Sequence, residues 1–402
     1  MNTWRETLFT NGVIFGAGLL GGVLVARFFG PDERGLLAAV IYWPHFLAGL
    51  TSLGINEGLV VAVAREGFSR QLVATACAIS LVLALVVAAL CVPAMPMLLG
   101  DSRLEYLRFT QMYMFILLPC SFLSNNLLAI DQGRMNFRQF NGQRLLQAAA
   151  YPAILSVLWL CDCLTIITGA LAVLAGIVLI TLQRLWHFRR DMFARPELVA
   201  TQGILSQSWR LHLVNMARSL GTELDKMMLV FFAGNAQLGY YVVALTAAAA
   251  MPSLLSQTFI NIMFPAAARA GKDGDFTMVI RPLRRFALAM ALASLLMSVA
   301  LPWLVRLVYG QEFGQAGYYA QILIFAFALN SLRQTLVSLL RSWRAHRAAF
   351  YAEAITALTM LVGGYPAIHI YGVGGLCFLV LFSQVIGGFL VFRAFRAHVI
   401  HA

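Results

Sequence analysis

Apolar runs of about 20 residues recur along this chain, each closed by charged or turn-forming residues. That is the length a helix needs to cross the hydrocarbon core of a bilayer. In lipid every backbone amide must be paired within the protein, so only helices and closed barrels can span. A barrel would show segments of about 10 residues alternating in polarity; the runs here are twice as long. Composition agrees: 60% of the 402 residues are hydrophobic, 11% are charged, and mean hydropathy is +0.79. A soluble domain carries about 25% charge, so water-soluble readings, ordinary enzymes included, are excluded. The fold class expected is an all-α polytopic membrane protein.

Twelve spans are expected: 8–29, 36–64, 72–99, 107–130, 145–160, 164–186, 211–232, 239–264, 286–309, 318–340, 348–370 and 373–395. Leu8 onward reads as the first span rather than a cleaved signal. The fifth is short and interrupted by Pro152. Lys and Arg test the count: with cations up to three residues inside a span end counted with the adjoining loop, 21 of the 29 fall on one side, five on the other (Arg27, Arg34, Arg103, Arg108, Arg306), and three well within spans. A wrong count would scramble that alternation, and the bias places both termini in the cytoplasm. The net charge of +12 is scattered through short loops, which is the pattern of topology determinants and not of a nucleic-acid surface.

A polar, basic segment at 187–210 divides the chain into an N-terminal six-helix lobe, 1–186, and a C-terminal six-helix lobe, 211–402. Pro196 should break any long helix in this cytoplasmic linker. The two lobes carry a repeat. "ARFFGPDERGLLAAV" at 26–40 and "VFFAGNAQLGYYVVA" at 230–244 put Gly30 on Gly234 and Gly35 on Gly239 at one offset, about 204 residues. At that offset Ala64-Arg65-Glu66-Gly67 falls on Ala268-Arg269-Ala270-Gly271. An even number of spans per half leaves both halves facing the same way, the parallel-repeat architecture of transporters that bind substrate between repeats.

Charge inside a span costs roughly 2.5–3.5 kcal/mol per residue on insertion scales, so it faces a cavity or a partner. In the seventh span, "NMARSLGTELDKMMLV", Arg218, Thr222 and Asp225 share a face at about 100° per residue, with Lys226 beside them and Glu223 pointing elsewhere. With Arg333 of the tenth span they are the candidate substrate cavity. The plain alternative is a structural pairing of Arg218 or Lys226 with Asp225 or Glu223. Glu57 and Asp225 are candidates for ion coupling, and Arg27 is a weaker candidate at the outer helix end, where snorkelling to headgroups also accounts for it. A cavity of net positive character would suit an anionic group such as pyrophosphate. Gly12/Gly16 and Gly18/Gly22 permit close helix approach, and Pro44, Pro93, Pro119, Pro252 and Pro302 supply kinks.

No GxxxxGK[ST] phosphate loop, HExxH or Ser/His/Asp arrangement is present. Cys161-Asp162-Cys163 lacks the further Cys or His a metal site needs. No metal, cofactor or catalytic residue is expected.

The stretches "GLLGGVLVARFFGPDERGLLAAVIYW" (18–43), "SLGINEGLVVAVAR" (52–65) and "ELDKMMLVFFAGNAQLGYYVVA" (223–244) resemble the polysaccharide, O-antigen-type flippase branch of the multidrug/oligosaccharidyl-lipid/polysaccharide (MOP) exporter superfamily. Arg27, Gly30 and Pro31 match its Arg-x-x-Gly-Pro turn; Asp225, Lys226, Leu238, Gly239 and Tyr241 match its Asp-Lys pair before a Leu-Gly-x-Tyr turn. The resemblance implies a MATE-like fold of two six-helix bundles. It implies a transporter, not an enzyme: an inner-membrane flippase moving an undecaprenyl-diphosphate-linked glycan by alternating access for lipopolysaccharide or other polysaccharide synthesis. H+ or Na+ would supply the drive, and polysaccharide polymerase and assembly proteins would be partners. Two other readings stay open, a cation-coupled multidrug antiporter of the same fold and a membrane glycan polymerase or ligase. A major-facilitator carrier would show Gly-x-x-x-Asp-Arg after the second span, where this chain has "REGFSRQ".

Overall fold

The structure, a computed structural model, describes residues 2–196, 198–273, 277–342 and 346–401. Among them every regular element is helical. In order these are α1 (Asn2–Leu50), α2 (Ile55–Glu66), α3 (Arg70–Cys91), α4 (Met95–Leu99), α5 (Leu107–Gly133), α6 (Phe137–Leu160), α7 (Ile166–His187), α8 (Leu198–Phe232), α9 (Asn235–Asp273), α10 (Thr277–Tyr309), α11 (Gly314–Ser342) and α12 (His346–His401). Two of them hold two spans each. Gly30 (φ 69°, ψ −175°) breaks α1 and Gly372 (φ 62°, ψ −154°) breaks α12, in conformations only glycine adopts without strain. With α2 completing the second span and α4 the third, the described helices account for twelve spans. Eight of the helical runs are long and apolar enough by composition to cross a membrane; α6 and α8 are the more polar exceptions.

Three expectations are corrected. The second span is not one helix over 36–64: it breaks at 51–54, where Leu53 (φ 52°) and Gly54 (φ 63°) turn left-handed. The Ser52 hydroxyl donates to the Gly49 carbonyl at 3.0 Å, satisfying a backbone group at the break, and the Thr51 hydroxyl donates at 2.6 Å to the Leu47 carbonyl, which also accepts the Thr51 N–H. The fifth span is longer than expected: α6 starts at Phe137 and carries Pro152 inside it. In the linker no helix crosses Pro196, as expected, but the second half of the segment is itself helical, since α8 starts at Leu198 and runs to Phe232.

The chain forms two compact units, residues 1–29 with 36–216, and residues 30–35 with 217–402. In the first, α5 is central, packed on α2, α3, α6 and α7. Its core includes Ile55, Leu59, Leu127, Ile130 and Phe188. In the second, α11 is central, packed on α9, α10 and α12, with Val279, Leu336, Leu340, Val391 and Phe395 buried together. The outer faces are apolar. Leu81, Val82, Leu85, Val86 and Leu90 make one exposed stripe on α3, and Leu288, Leu292, Leu295, Leu296 and Val299 another on α10. Their helical spacing marks the lipid-facing side. In the first span the close approach is at Gly21, where an added Cβ would meet the Tyr151 ring at 2.8 Å; Gly12, Gly16, Gly18 and Gly22 face open space.

The repeated phrases touch. Residues 30–35 belong to the second unit, and there a Cβ on Gly35 would run into the Asn235 carbonyl oxygen, while one on Gly239 would run into that of Pro31. Since 31 is to 235 as 35 is to 239, the contact is reciprocal. This is the signature of a local two-fold, and it requires glycine at both positions.

Candidate functional site

The second unit encloses a cavity of about 340 Å³. Spacing along α8 puts Gly221, Thr222, Asp225 and Lys226 on one stripe facing it, with Thr246 of α9, Asn330 and Arg333 of α11, and Ser383 and Gln384 of α12 opposite. Asp225 is 8% exposed. Its carboxylate accepts from the Tyr241 hydroxyl at 2.5 Å and from the Lys226 backbone N–H at 2.8 Å. Tyr241 is itself buried beneath it. Lys226 turns its Nζ to Glu223, 2.5 Å away and one turn back, so that pairing takes the structural form.

Arg333 is 1% exposed. Its Nη1 lies 2.9 Å from Glu353 Oε1, and its Nη2 donates to Asn330 Oδ1 at 3.0 Å. Gln334 also donates to that Glu353 oxygen, at 3.1 Å. The Glu353 contact is a charge contact without hydrogen-bond alignment, so among the described residues Nε and Nη1 have no hydrogen-bond partner, as is true of the buried Oε1 of Gln384. Unmet donors on a buried guanidinium are costly, and these belong to a residue that lines a cavity. The lining carries two cations, Lys226 and Arg333, and one carboxylate, Asp225. Glu223 and Glu353 stand behind the cations as partners. The described groups therefore do not give the net positive character expected of a diphosphate site.

The remaining candidates lie elsewhere. Arg218 is in α8, with its side chain outside the described residues. Glu57 sits in the first turn of α2, where a carboxylate complements the helix dipole, and Arg27 is exposed on α1. Neither lines the cavity. Cys161 and Cys163 are exposed free thiols in the turn between α6 and α7.

The first unit has a second cavity, of about 260 Å³, which attention to charge alone passes over. No charged side chain is among its lining residues, which include His45, Ser52, Asn56, Asn125, Asn126 and Gln147. The signal in the sequence was the Ser-Asn-Asn run at 124–126, deep in an apolar span. Charge in this unit is sealed away instead: Asp131 and Arg184 form an ion pair with both side chains fully buried, and the Phe188 ring lies 5.1 Å from the guanidinium carbon.

Residues 4–270 match the polysaccharide biosynthesis protein family, and the chain belongs to that family. No curated protein matches the sequence. Among solved structures it resembles an inward-facing multidrug resistance MATE family transporter of the MOP superfamily, at 14% identity over 98% of this chain and 95% of that one, with a TM-score of 0.75. It resembles equally the lipid II flippase MurJ in an inward closed conformation, at 13% identity, 98% and 87% coverage, and a TM-score of 0.75. A MOP superfamily transporter from Pyrococcus furiosus, described as having a binding pocket of reverse polarity, aligns at 14% identity, 98% and 94% coverage, and a TM-score of 0.62. The protein is thus a multi-pass membrane protein of the polysaccharide biosynthesis family, with the MOP fold shared by transporters and flippases.

Proposed function

We propose that the protein is a flippase for a lipid-linked oligosaccharide, an undecaprenyl-diphosphate glycan carried across the bacterial inner membrane for polysaccharide or lipopolysaccharide synthesis. Family membership on a MOP fold carries this reading. Arg333 gives it a contact: a buried guanidinium with unmet N–H donors at a cavity wall suits a diphosphate oxygen, to which arginine donates with charge assistance. Thr222, Lys226 and Arg218 complete the proposed anion-facing stripe. Asp225, held by Tyr241, and Glu57 are the carboxylates proposed to couple transport to a H+ or Na+ gradient. Both termini lie in the cytoplasm on this reading, and polymerase and assembly proteins receive the flipped product.

The test is glycan export in cells whose own copy of the gene is deleted. Wild type restores surface polysaccharide; Arg333→Gln, present at normal level in the membrane, does not. Full export by a triple alanine variant at 218, 226 and 333 would overturn the cavity assignment. The three carboxylates Asp225, Glu223 and Glu353 in and behind the cavity favour a second reading, a cation-coupled drug antiporter. Raised drug tolerance on expression, with no polysaccharide defect on deletion, would select it. Glycosidic bond formation by the purified protein would instead select a polymerase or ligase.

A further inference from the structure

The uncharged cavity of the first unit is built where a span gives up its helix. Ser52 lies within the break at 51–54 and Asn56 just after it, near the middle of the second span. Irregular backbone at membrane depth is tolerated where it is buried in protein or lines a watery cavity. His45 is fixed on one wall by a 2.7 Å hydrogen bond between its Nε2 and the Tyr113 hydroxyl. Asn126 donates to Ser80 Oγ at 2.8 Å. Among the described residues the side-chain amides of Asn56, Asn125 and Gln147 have no hydrogen-bond partner, and Asn125 and Gln147 are exposed and line the cavity. An amide on a spanning helix does not face lipid without cost, so these face a ligand or water.

Position supports a ligand. At the offset that aligns the two turn phrases, His45, Phe122 and Asn126 fall on Ala249, Ala326 and Asn330. The first three line this cavity and the second three line the other. The two cavities are therefore one repeat-encoded site in two chemical versions. The version with arginine and lysine carries charged donors. The version with three unpartnered amides, a histidine and the apolar Phe122 and Ile177 suits a sugar ring, whose hydroxyls each donate and accept while its C–H faces pack on apolar surface. With no carboxylate in the lining, a bound metal cation lacks a counter-charge. The volume holds several waters at about 30 Å³ each, which a ring would displace.

We propose that this cavity is a saccharide site, holding the sugar part of the lipid-linked substrate through Asn56, Asn125 and Gln147. The proposal rests on the glycan-flippase reading.

The test uses the full chain in nanodiscs and two probes, undecaprenyl diphosphate and the same lipid bearing the oligosaccharide extracted from the source cell. Wild type binds the glycosylated lipid more tightly than the bare one. Asn125→Ala and Gln147→Ala each remove roughly five- to tenfold of affinity for the glycosylated probe, the value of about one hydrogen bond, and leave the bare probe unchanged. Gln147→Asn, keeping the amide, restores part of the loss. Arg333→Gln weakens both probes alike. Because neither amide supports the fold through a hydrogen bond, the variants elute as wild type. If wild type binds both lipids equally, or both alanine variants keep the full sugar increment, the saccharide site is wrong while the diphosphate reading stands. If wild type binds neither lipid, the flippase reading fails and this proposal fails with it.

Discussion

The two units treat charge in opposite ways. In the second, Asp225, Lys226 and Arg333 line a cavity. In the first, the cavity is lined by amides and a histidine, and the buried Asp131 and Arg184 pair with each other outside its lining; Nε and Nη1 lack a hydrogen-bond partner among the described residues on Arg184 as on Arg333, so what separates the two is the cavity beside Arg333. Both cavities draw on a central helix, α5 or α11, and on equivalent positions of the repeat. Repetition of a fold therefore does not fix the chemistry of its sites; substitutions at the few lining positions do. It follows that a charge change in the first unit should act on folding, and one in the second on the ligand.

The sharpest way to break that contrast is at the sealed pair. Asp131→Ala leaves the Arg184 guanidinium buried without its partner, a cost of about 3–5 kcal/mol. The expected result is loss of folded protein from detergent extracts. Replacing both residues with apolar ones, Asp131→Leu with Arg184→Met, removes the uncompensated charge and recovers most of the folded yield, with binding of the bare lipid intact. Should the double replacement fold but lose that binding, the pair is functional and the contrast between the units fails.

Arg333 tests the other side. Removing it leaves Glu353 with Gln334 as its donor among the described residues, so Arg333→Gln costs about 1.5–3 kcal/mol, the range for hydrogen bonds to charged groups. Adding Glu353→Gln relieves that buried charge. The expected double variant has a thermal midpoint near wild type and still fails to export glycan. Recovery of export in the double variant would make the pair structural.

These tests turn on features of unequal visibility in the sequence. Length made the spans legible, and the Lys/Arg alternation held their register through polar α6 and α8. Arg333 and the α8 stripe were visible because charge is rare in an apolar helix. The break at 51–54 was not: Thr-Ser-Leu-Gly holds no proline, and the hydroxyl-to-carbonyl bond of Ser52 that helps make it tolerable is local geometry. Attention to proline pointed to Pro44, which lies within α1. The amides of the first cavity were hidden for a related reason. Asn56, Asn125 and Gln147 come from α2, α5 and α6, are neutral, and are brought together only by packing; the Ser-Asn-Asn run at 124–126 was the one local signal. The repeated Gly phrases were readable as a repeat, but not as surfaces that touch.

A smaller effect is expected at Tyr241, whose hydroxyl holds Asp225 at 2.5 Å. Tyr241→Phe keeps the ring and removes one hydrogen bond to a charged group, about 1.5–3 kcal/mol at most. If Asp225 couples transport to an ion gradient, the variant folds and binds both lipids, but its export no longer falls when an uncoupler collapses the gradient, because residual export is already uncoupled. Export that keeps the wild-type response to the uncoupler would remove Asp225 from the coupling path and leave it a structural carboxylate.

The smallest expected effect is at the turns. Gly35→Ala or Gly239→Ala drives a Cβ into a carbonyl oxygen of the opposite turn, and relief requires backbone movement, at about 1–3 kcal/mol. Because the two glycines serve one reciprocal contact, the damage should not add: once either alanine has opened it, the second has nothing left to displace. The double variant is expected to have a thermal midpoint close to that of the worse single one, whereas independent sites would sum. Full additivity would mean that each turn is strained on its own account. The repeat would then be a shared ancestry of sequence without a shared contact, and the two-fold would carry no energetic meaning at this point of the fold.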